Sequence, residues 1–119
     1  MDKTRRLHSC AVITTSSSSV VLVCGGVGRS DCEIYNPDTN SWTNGPSLPS
    51  TLSGSAMVAA SPTSSYAAFI LGGYDGQDPQ YHYSNRIYGI LKKDLTKVAL
   101  VGTMQNKRYL PVSLKMYFC

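Results

Sequence analysis

Few residues of this chain have the types and spacing that catalysis or metal binding requires. The two histidines, His8 and His82, lie far apart in the sequence. A metal site instead needs several histidine, cysteine or carboxylate ligands with supporting partners. Serines are abundant, but none occupies the Gly-x-Ser-x-Gly turn that exposes a catalytic nucleophile. We therefore predict that the chain is not an enzyme, with no catalytic residue, no metal site and no cofactor.

The four cysteines do not form a zinc-binding pattern, because no pair has the Cys-x2-Cys spacing. Cys10 and Cys24 lie in apolar stretches, where a free thiol packs as a small hydrophobic side chain. This interpretation favours a reducing compartment, and we predict a cytoplasmic location. A disulfide between Cys24 and Cys32 is the alternative.

The glycine-rich stretch 25–29 raises the question of phosphate binding. A phosphate-binding loop ends in Gly-Lys-Ser/Thr and continues into a helix. Here the stretch ends in Arg29 and is followed by residues 31–35, whose polar and apolar side chains alternate as in a half-buried strand. We therefore expect a turn between two strands, in which the glycines permit positive φ and close approach of the backbone.

The net charge of +4 comes from the second half of the chain, which contains seven basic and three acidic residues. Such an excess can attract nucleic acid. Lysines also protect exposed strand edges from unwanted pairing, and we favour that role, so we predict no binding to nucleic acid. No apolar run approaches the roughly 18 residues of a membrane span, and we predict no membrane association.

The chain contains two similar sequence units, which would position the residues discussed above. The apolar run Val20–Cys24 ends in Gly25-Gly26, and residues 68–71 end in Gly72-Gly73 in the same way. Turn-forming residues separate short β-type runs throughout, and no stretch has helical periodicity. This pattern predicts four short strands in each unit.

The first unit also contains Tyr35 and Trp42, with six residues between them. A double glycine followed by this pair, about once per 50 residues, resembles the kelch repeat. The repeat residues by this resemblance are Gly25, Gly26, Tyr35, Trp42, Gly72, Gly73 and Tyr88. The second unit aligns Val98 with Trp42 and has therefore lost the tryptophan.

The resemblance implies an all-β chain, a fragment of a kelch-type β-propeller. It predicts two four-stranded antiparallel blades at residues 1–51 and 52–105, and the start of a third at 106–119. It also implies that Tyr35 and Trp42 belong to the core between blades. Two blades cannot close a ring of roughly four to eight. We favour a fragment of a larger propeller; self-association through uncovered blade faces and an open arc are the alternatives.

The resemblance further implies that a protein partner binds the loops at one end of the blades. The corresponding residues are His8, Val27, Arg29, Ser53, Tyr74, Asp75, Gln77, Tyr81, His82, Tyr83 and Tyr109. The guanidinium of Arg29 would suit a carboxylate or phosphate, or would pair with Asp31 instead. The predicted function is a non-catalytic interaction module, a partner-binding or substrate-adaptor domain of the kind found in ubiquitin ligases. The alternative is a fragment of a propeller enzyme such as a copper-dependent oxidase.

Overall fold

A computed structural model of the chain describes residues 3–14, 18–74 and 83–104. The described residues form strands and turns. They contain no helix, and therefore none that is long and apolar enough to span a membrane. The strands are β1 (Ser9–Thr14), β2 (Ser19–Cys24), β3 (Asp31–Asn36), β4 (Ser41–Ser47), β5 (Ala56–Ala59), β6 (Tyr66–Leu71), β7 (Arg86–Leu91) and β8 (Val98–Thr103).

The strands form two four-stranded antiparallel sheets with the orders β1-β2-β3-β4 and β5-β6-β7-β8. We call them blade 1 and blade 2. This arrangement confirms the predicted all-β fold with two four-stranded blades. The expected third unit, residues 106–119, lies outside the described residues.

The two blades have the same internal register. The first glycine of each pair donates its amide hydrogen to the first residue of the third strand: Gly25 to Asp31 (3.1 Å) and Gly72 to Arg86 (3.2 Å). Trp42 lies opposite Tyr35, and Val98 lies opposite Ile90. The register thus supports the alignment of Val98 with Trp42, but it places Ile90, and not Tyr88, at the position of Tyr35.

One hydrophobic core joins the blades. Side chains on one face of a strand alternate with those on the other, so each blade has two faces. The inner face of blade 1 includes Ala11, Ile13 and Leu22, and the inner face of blade 2 includes Met57, Ala68, Ile70, Tyr88 and Ile90. All of these belong to a single buried cluster. Contacts of β1 with β5 and β6 bring the two inner faces together.

Tyr35 and Trp42 lie outside this shared core. Their rings contact each other with centroids 5.0 Å apart, and both side chains are half-buried. Alternation along β3 puts Tyr35 on the face opposite to Cys32, which is part of the core. The aromatic pair therefore lies on the outer face of blade 1, away from blade 2, because the core between the two blades uses the other face.

The cysteine interpretation needs a correction, because Cys24 and Cys32 form a disulfide and the described residues contain no free cysteine. The two residues face each other directly across β2 and β3. They form a non-hydrogen-bonded pair, the kind that brings opposite side chains closest together. The sequence spacing alone could not show that register. The cytoplasmic location therefore loses its supporting argument from free thiols and stays a prediction.

Candidate partner-binding surface

The glycine turns and the segments leading into each blade meet at one end of the molecule. We call this region the loop end; it comprises residues 3–8, 25–30, 51–55, 72–74 and 83–85. Backbone hydrogen bonds hold its parts together. Gly26 donates to the carbonyl of Leu52 (2.7 Å), and Leu52 donates to that of Arg29 (3.3 Å). Val27 donates to the carbonyl of Arg6 (3.1 Å).

The double glycine of blade 1 is required by this close packing. Gly25 has φ +70° and Gly26 has φ +117°, both in the region that disfavours side chains. A Cβ atom on Gly25 would lie 2.4 Å from the carbonyl oxygen of Leu52. A Cβ atom on Gly26 would lie 2.9 Å from that of Arg6. The turn is thus held between the lead-in segments of both blades.

The corresponding turn of blade 2 is fixed by two tyrosines. Tyr74 and Ser53 exchange two backbone hydrogen bonds of 2.8 and 3.0 Å. The ring of Tyr74 contacts that of Tyr83, with centroids 5.8 Å apart. Since Ser53 directly follows Leu52, which bonds to both Gly26 and Arg29, the structure brings the two turns to the same end.

The predicted residues are only partly described. His8, Val27, Arg29, Ser53, Tyr74 and Tyr83 all lie in the loop end. Ser53 is buried, and its backbone forms hydrogen bonds with that of Tyr74. The other predicted partner-binding residues lie outside the described part of the chain: Asp75, Gln77, Tyr81, His82 and Tyr109.

Arg29 pairs with a carboxylate of its own chain. Its Nε and Nη2 atoms each donate to a different oxygen of Asp31, both at 3.0 Å. The guanidinium fork that would hold a carboxylate or phosphate ligand is therefore engaged. The sequence left two roles open for Arg29, ligand binding or pairing with Asp31. In the structure Arg29 forms the ion pair with Asp31.

A second arginine, which sequence reasoning missed, organises the charges of the loop end. The Arg5 side chain has no exposed surface. It donates to the carbonyls of Gly25 (3.0 Å) and Asp31 (2.8 Å), and to the carboxylates of Asp31 and Glu33. Glu33 is only 2% exposed. Arg5 thus ties the lead-in segment of blade 1 to the glycine turn and neutralises a buried carboxylate.

Three cations surround Asp31. Lys3 contributes a further ion pair at 2.9 Å, in addition to those of Arg5 and Arg29. Hydrogen bonding to Arg29 first, and then to Lys3 and Arg5, holds the pKa of Asp31 far below its usual range, although its partial burial acts in the opposite direction. These contacts stabilise the ionised carboxylate and so stabilise the fold at neutral pH.

Protonation of Asp31 in acid should destabilise the fold. A carboxyl group whose pKa is lower in the folded state contributes stability above its unfolded pKa of about 3.9, and loses it as the pH falls towards the folded pKa. We therefore expect the free energy of unfolding to fall when the pH is lowered below about 4. Asp31→Asn should be less stable than the wild type at pH 7 and should lose less on acidification.

Urea unfolding at neutral pH and at about pH 3 measures both effects. Asp38→Asn, in the exposed turn between β3 and β4, is the matched control. If Asp31→Asn lost as much stability on acidification as the wild type, other carboxylates would carry the acid sensitivity.

Apolar side chains are exposed beside these charges. Leu7 is 43% exposed, Val27 is 44% exposed and Tyr83 is 40% exposed. Leu7 also has φ +55°, which is rare for a residue with a side chain. An open cleft of about 440 Å³ is lined by Thr4, Arg5, Arg6 and Val27.

His8, the residue before β1, is partly buried. Burial, followed by the nearby charge of Arg5, lowers its pKa, so the ring is neutral at pH 7. Its Nδ1 atom is buried and has no hydrogen-bond partner in the described part of the chain. No group of three or more His, Cys, Asp or Glu side chains that could hold a metal ion occurs among the described residues.

Comparison with protein families identifies a repeat motif in blade 1. Residues 14–49 match a family model described as the kelch motif. The matched range contains β2, β3 and β4 with Gly25, Gly26, Tyr35 and Trp42. No curated protein matches the chain.

Proposed function

Since the chain is a kelch-repeat protein, with the motif at residues 14–49, we propose that it is a protein-interaction module whose loop end binds a partner. The observation that carries this proposal is the position of its exposed apolar side chains. Five large apolar residues of the described chain are exposed, and three of them, Leu7, Val27 and Tyr83, lie at the loop end. The other two, Leu100 and Val101, lie on β8.

The chemistry of the loop end suits a protein ligand. Aromatic and apolar side chains at the centre of a patch, with arginine at its rim, are typical of protein–protein interfaces. Here the exposed Arg6 precedes Leu7 in the chain and accepts the amide hydrogen of Val27 through its carbonyl, and Lys3 is exposed in the same loop end. A partner that presents an apolar side chain flanked by carboxylates would complement both features.

The rigidity of the loop end also favours binding. Both glycine turns are fixed by backbone hydrogen bonds to the lead-in segments, and the buried Arg5 braces the turn of blade 1. A surface that is already ordered loses little conformational entropy when a partner binds. A substrate-adaptor role, such as that of a ubiquitin-ligase receptor, is one form that such binding would take.

The proposal predicts that three substitutions weaken partner binding while the chain stays folded. Val27→Asp and Tyr83→Ala change exposed side chains, and Leu7→Gly removes a side chain where φ +55° suits glycine. Central interface residues typically contribute about 1–3 kcal/mol, so each variant should bind roughly 5- to 150-fold more weakly. Affinity capture with crosslinking identifies the partner, and titration calorimetry then measures each affinity.

Controls come from the opposite end of the blades. Asp38→Ala and Thr63→Ala lie in exposed hairpin turns far along the strands from the glycine turns, and should bind as the wild type does. Thermal melts of all five variants report on folding. Wild-type affinity in all three loop-end variants would place the binding surface elsewhere on the molecule.

A further inference from the structure

His8 lies in the lead-in segment of blade 1, between two residues whose backbone is anchored. Leu7, before it, accepts the amide hydrogen of Gly54 in the lead-in segment of blade 2 through its carbonyl (2.8 Å). Ser9, after it, is the first residue of β1 and lies opposite Cys24 in β2. The backbone on either side of His8 is therefore fixed by both blades.

The buried nitrogen of His8 determines which form of the ring the fold accepts. Nδ1 is buried and has no hydrogen-bond partner among the described residues. A neutral imidazole can carry its single proton on Nε2, whereas the imidazolium carries a proton on both nitrogens. Protonation would therefore bury a charged N–H donor that no described residue satisfies, which costs free energy. The closed loop end consequently favours the neutral ring with its proton on Nε2.

The charged groups around the loop end also oppose a positive ring at His8. Burial, and then the charge of Arg5, three residues earlier, lower the pKa of His8. The carboxylates of Asp31 and Glu33 already form ion pairs with Arg5. The remaining charged or titratable side chains of the loop end are the cations of Lys3, Arg6 and Arg29 and the phenols of Tyr74 and Tyr83. Both carboxylates are therefore paired with a cation other than His8.

We propose that His8 makes the loop end an acid-sensitive switch, in which its protonation between about pH 6.5 and 5 releases residues 6–8 from the glycine turn and from the segment 51–55. The imidazolium regains water only when this short segment moves away. That movement breaks the hydrogen bond from Val27 to the carbonyl of Arg6 and displaces the exposed Leu7. Partner release at acid pH follows from this switch and rests on the proposed function.

Acid acts on His8 in a pH window of its own. A histidine whose pKa is lower in the folded state contributes stability above its unfolded pKa of about 6.5, and loses it as the pH falls towards the folded pKa. If the ring titrates one pH unit lower in the closed loop end, full protonation raises the open population about tenfold. The effect expected from Asp31 lies below about pH 4, so the two effects are separable.

NMR spectroscopy of the chain alone tests the switch without a partner. The ring of His8 should titrate below about 6.5, with Nε2 protonated at pH 7. Between pH 7 and 5, the amides of Val27 and Gly54 should lose hydrogen-exchange protection, after correction for the intrinsic pH dependence of exchange. His8→Phe removes the titrating group and should keep that protection. His82→Phe, the same change at the other histidine of the chain, should behave as the wild type does.

The same spectra contain the results that would overturn the proposal. A pKa of His8 at or above about 6.5 would mean that acid does not oppose the closed position. An equal loss of protection in His8→Phe and the wild type would assign the acid sensitivity to other groups. Unchanged protection at Val27 and Gly54 would show that the segment stays closed. His8→Gln replaces the phenylalanine variant if circular dichroism shows that the latter does not fold.

Partner release is measured separately, by titration calorimetry with the captured partner at pH 7 and pH 5.5. The affinity of the wild type should fall at the lower pH, and that of His8→Phe should not. An equal fall in both proteins would contradict control of release by His8. Val27→Asp identifies failure of the proposed function instead: if it binds normally at pH 7, the partner binds elsewhere, and the spectra of the chain alone still decide whether the switch exists.

Discussion

Arg5→Ala should lower the free energy of unfolding by about 3–5 kcal/mol, because it removes the arginine that pairs with the buried carboxylate of Glu33. The Arg5 side chain has no exposed surface, and Glu33 is only 2% exposed. The substitution also removes the donor to the carbonyls of Gly25 and Asp31. A buried charge or carbonyl that loses its partner keeps the full cost of its desolvation.

Arg29→Ala is the matched control for Arg5→Ala. It removes an ion pair with the same Asp31, but the Arg29 side chain is 31% exposed. Solvent screens an exposed ion pair, so the loss of stability should be small. Denaturant unfolding of both variants measures the difference. Similar small losses for both would show that Arg5 is not a buried structural charge.

The pair Arg5→Ala and Glu33→Gln tests the mechanism. Once residue 33 carries no charge, removing Arg5 no longer takes a cation away from a buried anion. The double variant should therefore be more stable than the sum of the two single losses predicts, as a double-mutant cycle would show. Additive losses would mean that the two side chains do not interact.

Gly25→Ala should cost about 2–5 kcal/mol, from roughly 1–2 for a left-handed backbone and 1–3 for overpacking. Gly25 has φ +70°, and the added methyl group would lie 2.4 Å from the carbonyl oxygen of Leu52. The obstacle is backbone of the segment that joins the blades, so it cannot move without disturbing their contact.

Gly28→Ala separates the two causes. Gly28 has φ +71°, but no heavy atom outside its neighbours lies within 4 Å of the position of an added Cβ. The loss should therefore be only the roughly 1–2 kcal/mol of the left-handed backbone. Thermal or urea unfolding compares the variants. Equal losses at Gly25 and Gly28 would show that close approach to Leu52 is unimportant.

The strands and their order could be predicted from the sequence, because their signals are local. Apolar runs that end in double glycines, with turn residues between them, defined both blades. The alignment of Trp42 with Val98 agrees with the register of both sheets. The place of Tyr88 in the repeat could not be predicted, because the turn after the second glycine pair is longer and counting residues does not show which residue lies opposite Val98.

The charges of the loop end could not be predicted, because they depend on tertiary contacts. Glu33 alternates with apolar residues along β3, a pattern typical of a solvent-facing side chain. In the structure the side chain of Arg5, 28 residues earlier in the chain, covers that position. Likewise, nothing local distinguishes the buried Arg5 from the exposed Arg6 beside it.

The most direct test of the proposed binding surface is chemical-shift mapping of the labelled chain with the captured partner. We predict that the largest changes occur at the amides of Leu7, Val27, Tyr74 and Tyr83. Amides in the hairpin turns at 37–40 and 61–65 should not change. Changes confined to those turns, or to β8, would contradict binding at the loop end.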